Sequence, residues 1–315
     1  MKNYGIRNFQ YANVENFTSD IGIKLRRGMN PVVRPILKLA ADGNIIIDNY
    51  PKLEKGKPYI FASTHNFVED SIANLASIDR NAYLLFGTSD QLEVNKDMYF
   101  AWLNGFIYVN RKDNGNRGDS LKKMERVINS GSSVLIFPEG GFNNTENLLC
   151  QKLFQGAYKV AKATGAEVVP IAPFNEYGKK EIYMKFGNPI DLASYSEEDA
   201  RIVLRDELST LLWYNMEDHA PRVKRSDLGE DPRLDYMEER KKVYQKTNWT
   251  KDVFDEEITR YYDAKDKEFM SIMDDIDSID VNEKNAGIIA PVLVRKRENE
   301  KYDFKEYMHK NWNKK

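Results

Sequence analysis

Apolar residues recur along this chain in two rhythms. Short runs bounded by polar or turn-forming residues predict strands at Tyr59-Ile60-Phe61-Ala62-Ser63, Tyr83 to Gly87, Gly105 to Asn110, Ser133 to Phe137 and Val168 to Ala172. Between them lie longer stretches with helical spacing. One runs from Phe67 to Ile78, with Val68, Ile72, Leu75, Ala76 and Ile78 on one face. A second covers Ser120 to Asn129, with Leu121, Met124, Val127 and Ile128 inward and Gly131 as its C-cap. A third covers Leu148 to Thr164, carries Leu149, Leu153, Ala157, Val160 and Ala161, and stops at Gly165. Strand and helix in alternation imply parallel pairing with helices over the sheet, so residues 44–217 read as an α/β domain with a mostly parallel sheet covered by helices.

The flanks differ in character. From Ile21 to Ala41 there is no acidic residue, and Lys24, Arg26, Arg27, Arg34 and Lys38 alternate with Leu25, Met29, Val32, Val33, Ile36, Leu37 and Leu39. Residues 1–43 therefore hold an amphipathic segment that either lies in a membrane interface or packs on its own domain. Asn30-Pro31 reads as an N-cap and first helical position, and Pro35 argues against one long helix. After Asn215 the pattern breaks at His219-Ala220-Pro221, and Asp231-Pro232 opens another helix. Residues 218–315 read as a largely helical C-terminal extension of unknown role, acidic from Asp252 to Glu283 and basic at its end.

Composition narrows the class. At 315 residues, 41% hydrophobic and 30% charged, the chain is folded and has matter for a sizeable core. The balance of 47 basic against 49 acidic residues argues against wholesale nucleic-acid binding. A single cysteine, Cys150, excludes an internal disulfide and a multi-cysteine zinc site, and is read as a small buried hydrophobe. The first residues lack the apolar core of a secretory signal, and no window approaches a spanning helix. The expectation is a cytoplasmic protein whose membrane contact is peripheral.

His65 stands between the strand ending at Ser63 and the helix beginning near Phe67, at the carboxyl edge of the sheet, where ligands of open α/β sheets bind. Asp70 follows five residues on. Neighbours on a helix are three and four apart, so the two side chains meet only if His65 lies in the entering loop and Asp70 in the first turns. The carboxylate then fixes the imidazole tautomer and leaves the other nitrogen as a base, with a substrate hydroxyl as nucleophile. Phe137-Pro138-Glu139-Gly140-Gly141 also follows a strand and precedes a helix, so it should open on the same edge. Its glycine turn, or the helix start after His65, offers backbone donors for an oxyanion. His219 and His309 have no evident partners for a metal.

His65-Asn66-Phe67-Val68-Glu69-Asp70, then Gly105 to Arg111, then Phe137 to Gly140, then Val169-Pro170-Ile171 resemble, in order and spacing, the four blocks of the lysophospholipid acyltransferase superfamily, best known for 1-acylglycerol-3-phosphate acyltransferases. The resemblance covers about residues 55 to 190. It implies acyl transfer from acyl-coenzyme A or acyl carrier protein to a lipid hydroxyl at a membrane surface, without metal or other cofactor. It also implies that His65 takes the hydroxyl proton, that Asp70 orients it, and that Glu139, Gly140, Gly141 and Arg111 face substrate. The expected product is phosphatidate, made at the inner face of the membrane.

One departure bears on the acceptor. Members of the family often continue the third block with Thr-Arg, and that arginine is taken to bind the acceptor's phosphate; here Gly141-Phe142 stand instead. Arg111 keeps one anion-binding group, with Lys112 and Arg117 near it in sequence. A non-phosphorylated or amine acceptor competes with lysophosphatidate, and a non-catalytic lipid-binding scaffold on the same fold is a further reading. Tyr99, Phe100, Trp102 and Phe106 either line an acyl channel or pack in the core.

Overall fold

The computed structural model describes residues 18–41, 43–87, 103–110, 114–143, 148–176, 178–227, 232–246, 251, 280–284, 286–287 and 310. It divides into two compact units, Met1–Val223 and Lys224–Lys315.

The first unit is built on a seven-stranded sheet: β1 (Asn44–Asn49), β2 (Ile60–Ser63), β3 (Ala82–Phe86), β4 (Phe106–Tyr108), β5 (Ser133–Ile136), β6 (Val168–Phe174) and β7 (Glu181–Phe186). The spatial order is β1-β7-β6-β2-β5-β3-β4. From β6 to β4 every pair is parallel; β7 runs antiparallel to β6 and parallel to β1. All five expected strands are present. β1 and β7 carry weaker signals: in Asn44-Ile45-Ile46-Ile47-Asp48-Asn49 the apolar run is only three residues long, and Glu181-Ile182-Tyr183-Met184-Lys185-Phe186 is broken by Lys185 and only half buried.

Helices cover both faces. Alternate side chains of the central strands divide the core: Phe61, Leu135, Val169 and Ile171 point to one face, and Ile60, Ala62, Val134, Ile136 and Val168 to the other. The first face is closed by α1 (Asp20–Ala40) and α2 (Asp70–Ser77), through Val33, Leu37, Ile72, Leu75 and Ala76. The second is closed by α3 (Asn114–Asn129), α4 (Gly156–Thr164) and α5 (Glu197–His219), through Met124, Val127, Val160, Leu204 and Leu208. Burying each such aliphatic side chain contributes about 1.5–3 kcal/mol.

Three expectations are corrected. The helix expected over Leu148 to Thr164 begins only at Gly156. The reason is competition for backbone donors: Gln151 N–H goes to the Glu139 carboxylate and Phe154 N–H to the Pro138 carbonyl, so the preceding stretch is tied to a loop. The helix expected from Phe67 starts at Asp70, because the Asn66 and Phe67 N–H groups donate to the Asp70 side chain. Pro31 and Pro35 do not break α1, which runs on through both from an N-cap at Ser19. There tertiary packing outweighs the lost bonds: Val33 and Leu37, interleaved with the prolines, are buried in the core. Tyr99, Phe100 and Trp102 lie outside the described residues, and Phe106 is in the core.

The second unit contains α6 (Pro232–Lys246), which buries Met237 and Tyr244 and sets the Arg240 guanidinium 5.7 Å from the Tyr244 ring centre. Proline at its first position accords with a helix start.

Candidate active site

β2 and β5 are neighbours in register, Ala62 opposite Ile136, and both end at the same edge of the sheet. The loops after them are therefore side by side, and His65 comes from one and Glu139 from the other. His65 Nδ1 lies 2.9 Å from both carboxylate oxygens of Asp70. Asp70 is the first residue of α2 and is fully buried. A buried carboxylate needs donors, and it has them: besides the imidazole, Oδ2 accepts from the N–H of Asn66 at 2.9 Å and of Phe67 at 3.3 Å. An ionised carboxylate only accepts, so the neutral imidazole carries its proton on Nδ1 and Nε2 is the basic nitrogen. The His65 side chain is 16% exposed, enough to meet a reactant at one edge.

Beneath the pair, Asn74, one turn further along α2, donates from Nδ2 to Ser63 Oγ and to the Asp70 carbonyl, and Ser63 Oγ donates to the Thr64 carbonyl. At the other end of α2, the Arg34 guanidinium of α1 donates to the Ala76 and Ser77 carbonyls. A cation there satisfies orphan carbonyls and complements the helix dipole. The sequence shows Arg34 only as one basic residue among several; its partner lies some forty positions away.

The loop after β5 holds His65 from outside. Glu139, 1% exposed, accepts the His65 N–H on Oε1 at 3.2 Å and the Gln151 N–H on Oε2 at 2.8 Å. The Asn143 N–H donates to the His65 carbonyl at 2.9 Å. Gly140 has φ of +76°, a left-handed conformation that suits glycine, and its N–H closes the turn onto the Phe137 carbonyl. The Phe137 and Phe142 rings each lie with centroids 4.1 Å from that of the imidazole, at interplanar angles of 22° and 32°. Phe142 is buried.

Thus His65, Asp70, Glu139, Gly140 and Gly141 assemble at one sheet edge. Arg111 and Lys112 lie outside the described residues, and Arg117 is an exposed residue of α3. Of the expected oxyanion donors, the N–H groups of Asn66, Phe67 and Gly140 are taken by protein acceptors, whereas that of Gly141 has none among the described residues. Cys150 is buried, and burial followed by the nearby Glu139 carboxylate pushes its thiol well above the ordinary range, so it is no nucleophile. The sequence offers His219 no partner, but folding brings Asp48 and Asp218 to it. Lys185 already supplies the cation there, pairing with Asp218 and lying 3.8 Å from Asp48.

Comparison with known proteins accords with this architecture. Residues 44–173 match the model of the acyltransferase family. A 1-acyl-sn-glycerol-3-phosphate acyltransferase of Chlamydomonas reinhardtii is 31% identical over 117 residues, which are 36% of this chain and 33% of that protein. A chloroplastic enzyme of the same name from Arabidopsis thaliana is 28% identical over 142 residues, 44% of this chain and 36% of its own. The corresponding protein of Borreliella burgdorferi is 26% identical over 117 residues, 33% and 46% of the two chains. The chain thus spans a third to just under a half of the curated relatives it matches. Among solved structures, the 1-acyl-sn-glycerophosphate acyltransferase of Thermotoga maritima superposes with a TM-score of 0.50 at 15% identity, covering 71% of this chain and 91% of that one, a likeness of fold. The chain carries a domain of the acyltransferase family. The match to that family covers residues 44–173, and the curated proteins the chain resembles are named 1-acyl-sn-glycerol-3-phosphate acyltransferases.

Proposed function

We propose that this protein transfers a fatty acyl group from an acyl thioester, on coenzyme A or acyl carrier protein, to the hydroxyl of 1-acylglycerol-3-phosphate, giving phosphatidate. The observation that carries this reading is the buried Asp70 carboxylate on His65 Nδ1, which leaves Nε2 basic at the rim of the sheet. Nε2 takes the acceptor's proton as its oxygen attacks the thioester carbonyl. The tetrahedral intermediate collapses with cleavage of the C–S bond, and the proton passes from Nε2 to the departing sulfur. Such a base contributes roughly 10²–10⁴-fold. The Gly141 N–H is assigned to the oxyanion, the Glu139-Gly140-Gly141 turn to the wall of the substrate site, and Arg111 to the acceptor's anionic head. No metal or other cofactor has a part in this chemistry.

The membrane contact is assigned to the outer side of α1. Ile21, Leu25, Val32 and Leu39 are exposed at spacings of four, seven and seven, which at about 100° per residue align them in one stripe. Lys24 and Lys38 are exposed on the same helix, as suits an anionic lipid surface at the inner face of a membrane. The opposite side of the same helix, Val33 and Leu37, is in the core. Core packing of one face leaves the other for the proposed membrane contact.

Phe142 favours a second reading of the acceptor. Where many relatives of this superfamily hold an arginine for phosphate, this chain packs a buried phenyl ring on His65, which suits a non-phosphorylated or amine head. The test is incubation of the protein with labelled acyl-coenzyme A and acyl carrier protein over a crude lipid extract, products being identified by mass. Labelled phosphatidate supports the first reading, a labelled neutral or amide lipid the second, and no acylated product from either donor overturns both.

A further inference from the structure

The imidazole of His65 is gripped at more than its Nδ1 edge. Asp70 shares its two oxygens equally over Nδ1, an arrangement that fixes the tautomer but tolerates modest tilting of the ring about its Cβ–Cγ bond. Rotation would swing Nε2 out of line with an attacking hydroxyl. What opposes rotation is the pair of phenyl faces on either side, Phe137 and Phe142, each with its centroid 4.1 Å from the imidazole centroid. Both belong to the loop that also fixes the His65 backbone, through Glu139 at its N–H and Asn143 at its carbonyl. One loop therefore holds the backbone and both faces, while Asp70 holds one edge. Among the described residues, nothing takes the Nε2 edge, which is left to substrate.

We infer that Phe142, with Phe137, is a positioning residue: its ring clamps the plane of the His65 imidazole and so aims Nε2 at the acceptor hydroxyl. The inference rests on His65 being the base of the proposed transfer. Reacting atoms must lie within a few tenths of an ångström and some degrees of the productive geometry, and a misplacement of about 1 Å can cost about a hundredfold in rate. Phe142→Leu keeps a buried apolar side chain but removes the flat face; Phe142→Tyr keeps the face.

The experiment uses the full chain with palmitoyl-coenzyme A and lysophosphatidate, or whichever acceptor the lipid-extract assay identifies. Phe142→Leu is expected to lower kcat about 10- to 100-fold with KM for both substrates within about threefold, and Phe142→Tyr to restore most of it. In the NMR spectrum, ring currents from two stacked phenyls should hold the His65 ring protons upfield, assigned by their loss in His65→Ala. Phe142→Leu should move them downfield. Wild-type kcat in Phe142→Leu beside an inert His65→Ala overturns the clamp and leaves the base reading intact. Full activity in His65→Ala overturns the base reading, and the clamp with it. Ring-proton resonances unmoved by Phe142→Leu refute the stacking irrespective of activity.

Discussion

Among the described residues there are two histidine–aspartate contacts, and they differ in almost every respect that matters chemically. His65 meets Asp70 at 2.9 Å and His219 meets Asp48 at 2.7 Å, so distance does not tell them apart. Asp70 is fully buried and its remaining capacity is filled by backbone N–H groups of its own loop. Asp48 is 22% exposed and shares its charge with Lys185. His65 gives Nδ1 to its carboxylate and turns Nε2 to the rim, whereas His219 spends Nε2 on Asp48 and lies flat on Tyr183, ring centroids 3.7 Å apart at 8°. The first pair stands at the carboxyl edge of parallel strands in the arrangement the proposed base requires; the second is the end of a surface charge network. A carboxylate makes a histidine useful when it leaves the outward nitrogen basic and is not shared with a neighbouring cation.

The sharpest way to break that contrast is to remove each imidazole in turn. His65→Ala should lower acyl transfer by about 10³-fold or more with the fold intact by circular dichroism, since it removes the proposed base. Retention of most of the rate would end the proposed mechanism. Asp70→Asn should follow, with a loss of about 10²–10⁴-fold. An amide at that position accepts on one atom only, so Nδ1 is no longer held as the donor, and the buried N–H groups of Asn66 and Phe67 are left competing for one oxygen. A variant within twofold of wild type would show that Asp70 serves the helix start alone.

Much of the first pair was legible in the sequence, and the second was not. His65 and Asp70 are local: a strand end, a turn and a helix start within eight residues, so spacing alone states the condition under which they meet. Asp48, Lys185, Asp218 and His219 come from two strands and a helix end separated by up to 171 positions, and nothing in the order of residues foretells that they converge. The same distinction holds for the fold. The continuous apolar runs of β2, β5 and β6 announce themselves, while β1 and β7, half-exposed at one side of the sheet, do not. The helix proposed over Leu148 to Thr164 failed in its first half because apolar spacing is blind to Glu139, whose carboxylate draws the Gln151 N–H away from helical bonding. Phe142 was legible as a departure from the family's pattern, but its stacking on His65 needed coordinates.

Glu139 offers the next test, because it separates the framework of the first site from its chemistry. Its two oxygens accept two backbone N–H groups in a place sealed from water, so Glu139→Gln presents an amide N–H₂ to one of those donors. Leaving such a buried donor unmet costs about 1–3 kcal/mol. Urea unfolding should register that loss, and the rate should fall with it as the His65 backbone is released. Unchanged stability would mean that water replaces the contact and that the tie is weak. Gly140→Ala should be milder. The new Cβ would approach the Phe154 ring to 2.6 Å, but that side chain is half exposed and can swing aside, leaving mainly the left-handed strain of about 1 kcal/mol.

The smallest effect is expected at the other histidine. His219→Ala removes the stacked ring and one bond to Asp48, but Lys185 remains beside both Asp48 and Asp218, so no carboxylate is stranded without a cation. Contacts of this partly exposed kind contribute about 0–1 kcal/mol, and the chemical denaturation midpoint should move accordingly little. Acyl transfer should stay within about twofold of wild type, since a change that leaves kcat/KM untouched is what a residue outside the transition state gives. A loss comparable to that of His65→Ala would mean that the exposed network reaches the chemistry, and the difference between the two pairs would then have to lie somewhere other than burial and the orientation of the free nitrogen.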